Sequence, residues 1–147
     1  MTALAAPRKI QRRGPVMDYS FGVKASAVIY QTGLVVLLAG YAIAGRAGVD
    51  STEAGTMQCV GVSAETVTGG AGNGDVAVKV TASEFGFKNS TSGDLITVAD
   101  IGKVAYLVDD QTVAKTSNTN VRCIAGRITG VDSDGTVWVR VGPGLAA

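Results

Sequence analysis

Two close pairs of carboxylates, Asp109-Asp110 and Asp132/Asp134, are the side chains of this sequence best suited by type to do chemistry. Paired acids can share general acid and base roles in glycoside hydrolysis, or hold a hard cation through their oxygens. Both pairs fall where the chain reads as turn tips. Asp is favoured there because its side chain bonds the turn backbone, so turn chemistry is the better reading. Gly61-Val62-Ser63-Ala64-Glu65 begins like a nucleophile elbow, but Glu65 stands where a glycine belongs. The chain contains no histidine. That removes the commonest general base and metal ligand, and with them any Ser-His-Asp or Cys-His site. The cysteines are Cys59 and Cys123, with no CxxC motif. Both lie in apolar strand-like runs and read as small buried hydrophobes, with a disulfide between them left open. Thr68-Gly69-Gly70-Ala71-Gly72-Asn73-Gly74-Asp75 invites a phosphate-cradle reading. It has neither the GxGxxG spacing nor a following Lys-Ser or Lys-Thr, and it leads into a strand rather than a helix. An exposed, flexible hairpin loop is expected. No catalytic residue, no cofactor site and no metal site are assigned.

The elements around these residues read as short strands. Val104–Val108, Thr112–Ala114, Cys123–Val131 and Thr136–Val141 are apolar runs separated by Asp-, Ser- and Gly-rich turns. Asp134-Gly135 between alternating runs is a strong hairpin signal, because the turn needs a positive φ that glycine supplies. Upstream, Val23–Tyr30, Leu34–Leu38, Tyr41–Ala44 and Thr56–Ser63 read as strands, as do Val76–Val80 and Phe85–Phe87. Thr97 is placed to cap a single helical turn. Trp138, the one tryptophan, lies on the last strand, where an aromatic serves packing or an interface. With 147 residues, 20 glycines, 5% aromatics and a net charge of +1, one all-β domain is expected. So balanced a charge gives no long-range field toward nucleic acid.

Ala25 to Gly45 carries no charged residue, and its length approaches that of a membrane-spanning helix. Gly33 and Gly40 divide it into strand-sized pieces, so buried strands are expected instead. The first residues are not expected to form a secretory signal, since Arg8, Lys9, Arg12 and Arg13 follow the mildly apolar start rather than precede it.

Residues 1–22 differ from the rest. They hold those four basic residues, Pro7 and Pro15, one acid at Asp18, and no apolar periodicity. An extended N-terminal arm is expected over 1–22, ahead of a compact β domain over 23–147. Such an arm docks on a partner, for instance by adding a strand to an exposed sheet edge, or remains a disordered tail. Contact of its basic residues with nucleic acid is the weaker alternative, because aromatic interleaving is absent.

A further set of residues carries a family resemblance. Ala25-Ser26-Ala27-Val28-Ile29-Tyr30 leads to Gly33-Leu34-Val35-Val36, the Gly40-Tyr41-Ala42 turn and Val60-Gly61-Val62. Gly74–Val80 and Phe85-Gly86-Phe87 follow. The densest match is Ala99-Asp100-Ile101-Gly102-Lys103-Val104-Ala105-Tyr106-Leu107-Val108-Asp109-Asp110-Gln111-Thr112-Val113-Ala114, and Ala125-Gly126-Arg127-Ile128 and Val137-Trp138-Val139 close it. Over roughly residues 23–141 the chain resembles the capsid cement, or head decoration, proteins of tailed bacteriophages.

The resemblance implies a small β-barrel or β-tulip subunit, made in the host cytoplasm and carried on the outer surface of the virion. It implies binding to the major capsid protein of the expanded head and a homo-oligomer, with a trimer favoured and a dimer possible. Neither nucleic acid nor membrane is expected as a partner, and no enzymatic activity. The expected capsid-contacting residues of the arm are Arg8, Lys9, Ile10, Arg12, Arg13, Tyr19 and Phe21. Trp138 and Tyr106 are expected at contacts between subunits or with a neighbour. Deletion of residues 1–22 is expected to leave a folded oligomer that no longer attaches. The alternative is a non-enzymatic β-sandwich binding module of a phage tail or cell surface, and a trimeric β-barrel hydrolase is a further rival without a candidate residue set.

Overall fold

The computed structural model describes residues 1–143; the last four residues of the expected domain, 144–147, lie outside the described residues. The chain is all-β. Its strands are β1 (Arg12–Gly22), β2 (Val28–Ile29), β3 (Leu34–Leu38), β4 (Tyr41–Ala44), β5 (Met57–Ser63), β6 (Val67–Thr68), β7 (Ala77–Phe87), β8 (Val104–Leu107), β9 (Val113–Ala114), β10 (Ile124–Val131) and β11 (Val137–Val141). One helical turn, α1 (Ser51–Ala54), and 3₁₀ turns at Ser92–Asp94 and Val98–Asp100 interrupt them. A single sheet runs β4-β3-β5-β7-β11-β10-β8-β9, with β1 also paired to β7; β2 and β6 form a separate pair.

Local chemistry accounts for the best-formed hairpins. Leu34–Leu38 turns back into Tyr41–Ala44 through Ala39 and Gly40, whose φ values are 51° and 89°. Two consecutive positive φ angles give the hairpin turn whose twist matches its strands. β3 is apolar without alternation because both its faces are covered. Leu34 and Val36 enter the main core with Phe85, Phe87, Leu107, Ile128 and Val139. Val35 points the other way, into a second core with Val23, Ile29, Val60, Val78 and Val80. The uncharged stretch from Ala25 to Gly45 therefore supplies strands, and no helix among the described residues is long and apolar enough to cross a membrane.

β7 is the hub. Along one edge it pairs with β1 from Ala77 to Phe85. Along the other it pairs first with β5, at Val80 and Thr81, and then with β11, from Ser83 to Phe87. The sheet divides at this point, and the main core fills the space between the two wings.

Three local expectations change. The strand expected over Val23–Tyr30 shrinks to β2, because Ser26 adopts a φ of 62° and Ala27 N–H bonds Lys24 O in a turn. Val76–Val80 and Phe85–Phe87 merge into the one strand Ala77–Phe87, since Thr81 and Glu84 are paired on both edges, Ala82 with β1 and Ser83 with β11. The glycine-rich loop is tied down: Ser26 N–H bonds Gly70 O, Gly74 N–H bonds Val23 O, and Ala25 N–H bonds Asn73 Oδ1.

Candidate interaction site

The expected arm lies on its own chain. From Met17 to Gly22 it pairs residue for residue with Ala82 to Ala77, after a register shift between Arg13 and Met17. β1 has no strand on its outer side among the described residues.

Most of the nominated arm residues are engaged within the molecule. Tyr19 and Phe21 stack with ring centroids 6.1 Å apart, and Phe21 packs on the second core beside Val78. Arg13 Nε meets Glu84 Oε2 at 2.6 Å, and its guanidinium lies 4.1 Å above the centre of the Trp138 ring. Trp138 is buried beneath it, and its Nε1–H donates to Asp132 Oδ2 at 2.9 Å. Ile10 packs against the main core. Lys9 and Arg12 remain exposed, and Tyr106 is half-buried on β8 opposite Ile124 and Ala114.

Ahead of β1, residues 1–10 form a strap over the loop between β8 and β9. Leu4 N–H donates to Asp110 Oδ1 at 2.7 Å. Gln111 Nε2 donates to Thr2 O, and Arg8 Nη1 donates to Gln111 Oε1 at 3.3 Å. Arg8 O accepts from the Thr32 hydroxyl. The same loop joins the two wings through its backbone: Leu34 N–H bonds Asp110 O at 2.8 Å and Lys88 N–H bonds Gln111 O at 2.9 Å.

Asp109 and Asp110 read as a turn tip, and the turn they form is buried, at 8% and 2% exposure. Asp109 still plays the expected turn role, its Oδ1 accepting from Gln111 N–H at 3.0 Å. Burial pushes the Asp110 carboxyl above its ordinary value; the Leu4 N–H pulls it down, and the Asp109 charge pushes it up again. The sequence hint was the composition of Asp109-Asp110-Gln111-Thr112, a polar interruption without glycine or proline, which suits a paired segment better than a free turn. Asp132 and Asp134 do occupy the β10–β11 turn, where Asp134 Oδ1 accepts from Thr136 N–H at 2.9 Å.

An open groove of about 760 Å³ separates the strap from that turn, lined by Arg8, Lys9, Ile10, Thr32, Asp134 and Thr136. No group of three or more His, Cys, Asp or Glu side chains among the described residues is arranged to hold a metal ion. Cys59 and Cys123 are both free thiols. Thr97 caps the 3₁₀ turn as expected, with Asp100 Oδ2 accepting from its N–H at 2.9 Å and Lys103 paired to Asp100 at 3.4 Å. Compared with models of protein families, with curated proteins and with solved structures, the chain matches none.

Proposed function

We propose that this chain is a structural subunit, a capsid decoration protein of a tailed bacteriophage. It binds the outside of the expanded head and bridges neighbouring copies of the major capsid protein. The observation that carries the reading is the use made of the carboxylates in Asp100–Ala114, the segment with the densest resemblance. Asp100, Asp109 and Asp110 each accept a backbone N–H, from Thr97, Gln111 and Leu4 respectively. Asp100 and Asp109 fix their own turns and Asp110 fastens the strap, so all three serve structure. Isolated bridges from Arg46 to Asp109 and from Lys88 to Thr112 bring the ends of β4 and β7 to the same loop, which supports the finer description of a small barrel or tulip.

The mechanism is linkage. A subunit that binds only the expanded lattice stabilises that lattice by its binding free energy, and several weak contacts made by one oligomer add up steeply. Burial of Trp138 argues that subunit contacts lie elsewhere on the surface, with Tyr106 and the outer edge of β1 as the remaining candidates.

The test is co-sedimentation of the purified protein with expanded and unexpanded heads lacking it. Saturable binding to expanded heads alone, with increased resistance to osmotic rupture, is expected. Absence from purified virions, or an isolated monomer that turns over a substrate, overturns the reading.

A further inference from the structure

Directly opposed residues of an antiparallel pair share one face of the sheet. Arg127 on β10 lies opposite Arg140 on β11, Arg140 lies opposite Glu84 on β7, and Glu84 lies opposite Arg13 on β1. The row therefore reads Arg-Arg-Glu-Arg across four strands. It points outward, since the next residues along, Ile128, Val139 and Phe85, enter the core.

Within this row the charges are unevenly matched. Glu84 is taken by Arg13 at 2.6 Å. Neither Arg127 nor Arg140 belongs to an ion pair among the described residues, and both are exposed. Arg127 turns Nη1 to Gly102 O at 3.0 Å. Like charges set directly opposite each other destabilise an antiparallel pair. A threonine or glutamate at either position would remove that cost. What the pair offers instead is two exposed guanidinium groups at directly opposed positions of one sheet face, a group whose donors suit carboxylates.

We propose that the Arg127–Arg140 pair is a docking site for an acidic polypeptide segment of a partner protein, whose carboxylates the two guanidinium groups receive. Charge complementarity chooses the occupant. Glu84 stands in the same row, and Asp132 and Asp134 close the β10–β11 turn. Those acids disfavour a continuous phosphate backbone more than they disfavour a short acidic segment. The net charge of +1 adds no field that would draw in nucleic acid. The site does not depend on whether the partner is a capsid shell.

The experiment is a titration of the full-length protein, labelled with ¹⁵N at arginine, with a soluble peptide of alternating glutamate and threonine. A short DNA duplex and inorganic phosphate serve as comparison probes. Saturable shifts at the Nε–Hε signals of Arg127 and Arg140 are expected, weakened by salt. Affinity is expected to fall about tenfold in each single variant, read at Arg140 in R127Q and at Arg127 in R140Q, and to persist in K24Q. No shift at either arginine overturns the proposal, as does an equal loss in K24Q. Tighter binding of the duplex, or equal binding of phosphate, assigns the face to another ligand and also overturns it. Separately, R127T, which leaves the opposed Arg140 and Glu84 in place, is expected to melt at a higher temperature than the native chain. An unchanged or lower melting temperature removes the argument that the pair is kept at a cost.

Discussion

The Leu4 backbone N–H donates to Asp110 Oδ1 at 2.7 Å, joining residues 106 apart in sequence. This contact turns residues 1–10 from a tail into a strap, and it buries a carboxylate beside a second one.

The Asp110 carboxyl lies above its ordinary value of 3.8, first because of burial, while the strap's own Leu4 N–H lowers it. A group whose pKa is higher in the folded chain favours folding when protonated. The contribution of Asp110 to stability is then fully present below 3.8 and lost as pH rises through its raised value. Deletion of residues 1–10 is expected to return the Asp110 titration, followed by carboxyl ¹³C NMR, toward 3.8. An unchanged titration would show that the strap does not desolvate Asp110.

That shorter deletion replaces removal of residues 1–22 as the test of attachment. Residues 12–22 are β1, and their loss would uncover Val78 and Val80 of the second core. A chain lacking 1–10 is expected to keep its cooperative melt, whereas one lacking 1–22 is expected to misfold or aggregate. Calorimetry of both chains checks this.

Arg13 fastens the start of β1 by stacking on Trp138 and pairing with Glu84. The ion pair is partly exposed and contributes little, while a cation over an aromatic face at such a site is worth about 0.5–1 kcal/mol. Arg13→Ala is expected to cost about 1 kcal/mol in chemical denaturation and to change the Trp138 emission. Arg13→Lys is expected to recover only part of it, because an ammonium cannot stack as a guanidinium does.

Two glycines separate crowding from backbone strain. At Gly126 an added Cβ would stand 1.7 Å from Arg140 O, a backbone atom that cannot give way. Gly126→Ala is expected to destabilise by about 4 kcal/mol or more. At Gly102 the φ is 92° and nothing lies within 4 Å of the position. Gly102→Ala is expected to cost only about 1–2 kcal/mol, the penalty of a left-handed conformation. Equal melting temperatures for the two variants would contradict this assignment.

Burial holds both thiols in their protonated form, with Cys59 pushed up to about 12 and Cys123 to about 11. Because the thiolate is the nucleophile, neither is expected to react with iodoacetamide at pH 8 in the folded chain. Both are expected to react in denaturant, which mass spectrometry reads directly.

How far the fold was legible follows the range of the interactions. Leu34–Leu38, Tyr41–Ala44 and the Asp134-Gly135 hairpin depend on apolar runs and turn residues that adjoin in sequence, and they occur where sequence places them. The pairing of Arg12–Gly22 with β7 carries no local signal, since those residues show neither alternation nor a turn leading to their partner. The composition of Asp109-Asp110-Gln111-Thr112 hinted at a paired segment, but not at its cover, because Leu4 comes from the far end of the chain. Of the nominated contact residues, Arg13 and Trp138 do meet, but they meet each other.

The position of β1 has a consequence for how the protein is made. Arg13 leaves the ribosome 71 residues before Glu84, its partner. At about 5–20 residues per second that is a wait of roughly 4–14 s. Throughout it Tyr19 and Phe21 have no β7 to cover, and the charges of Arg12, Arg13 and Asp18 are of the kind that blunts an unpaired strand.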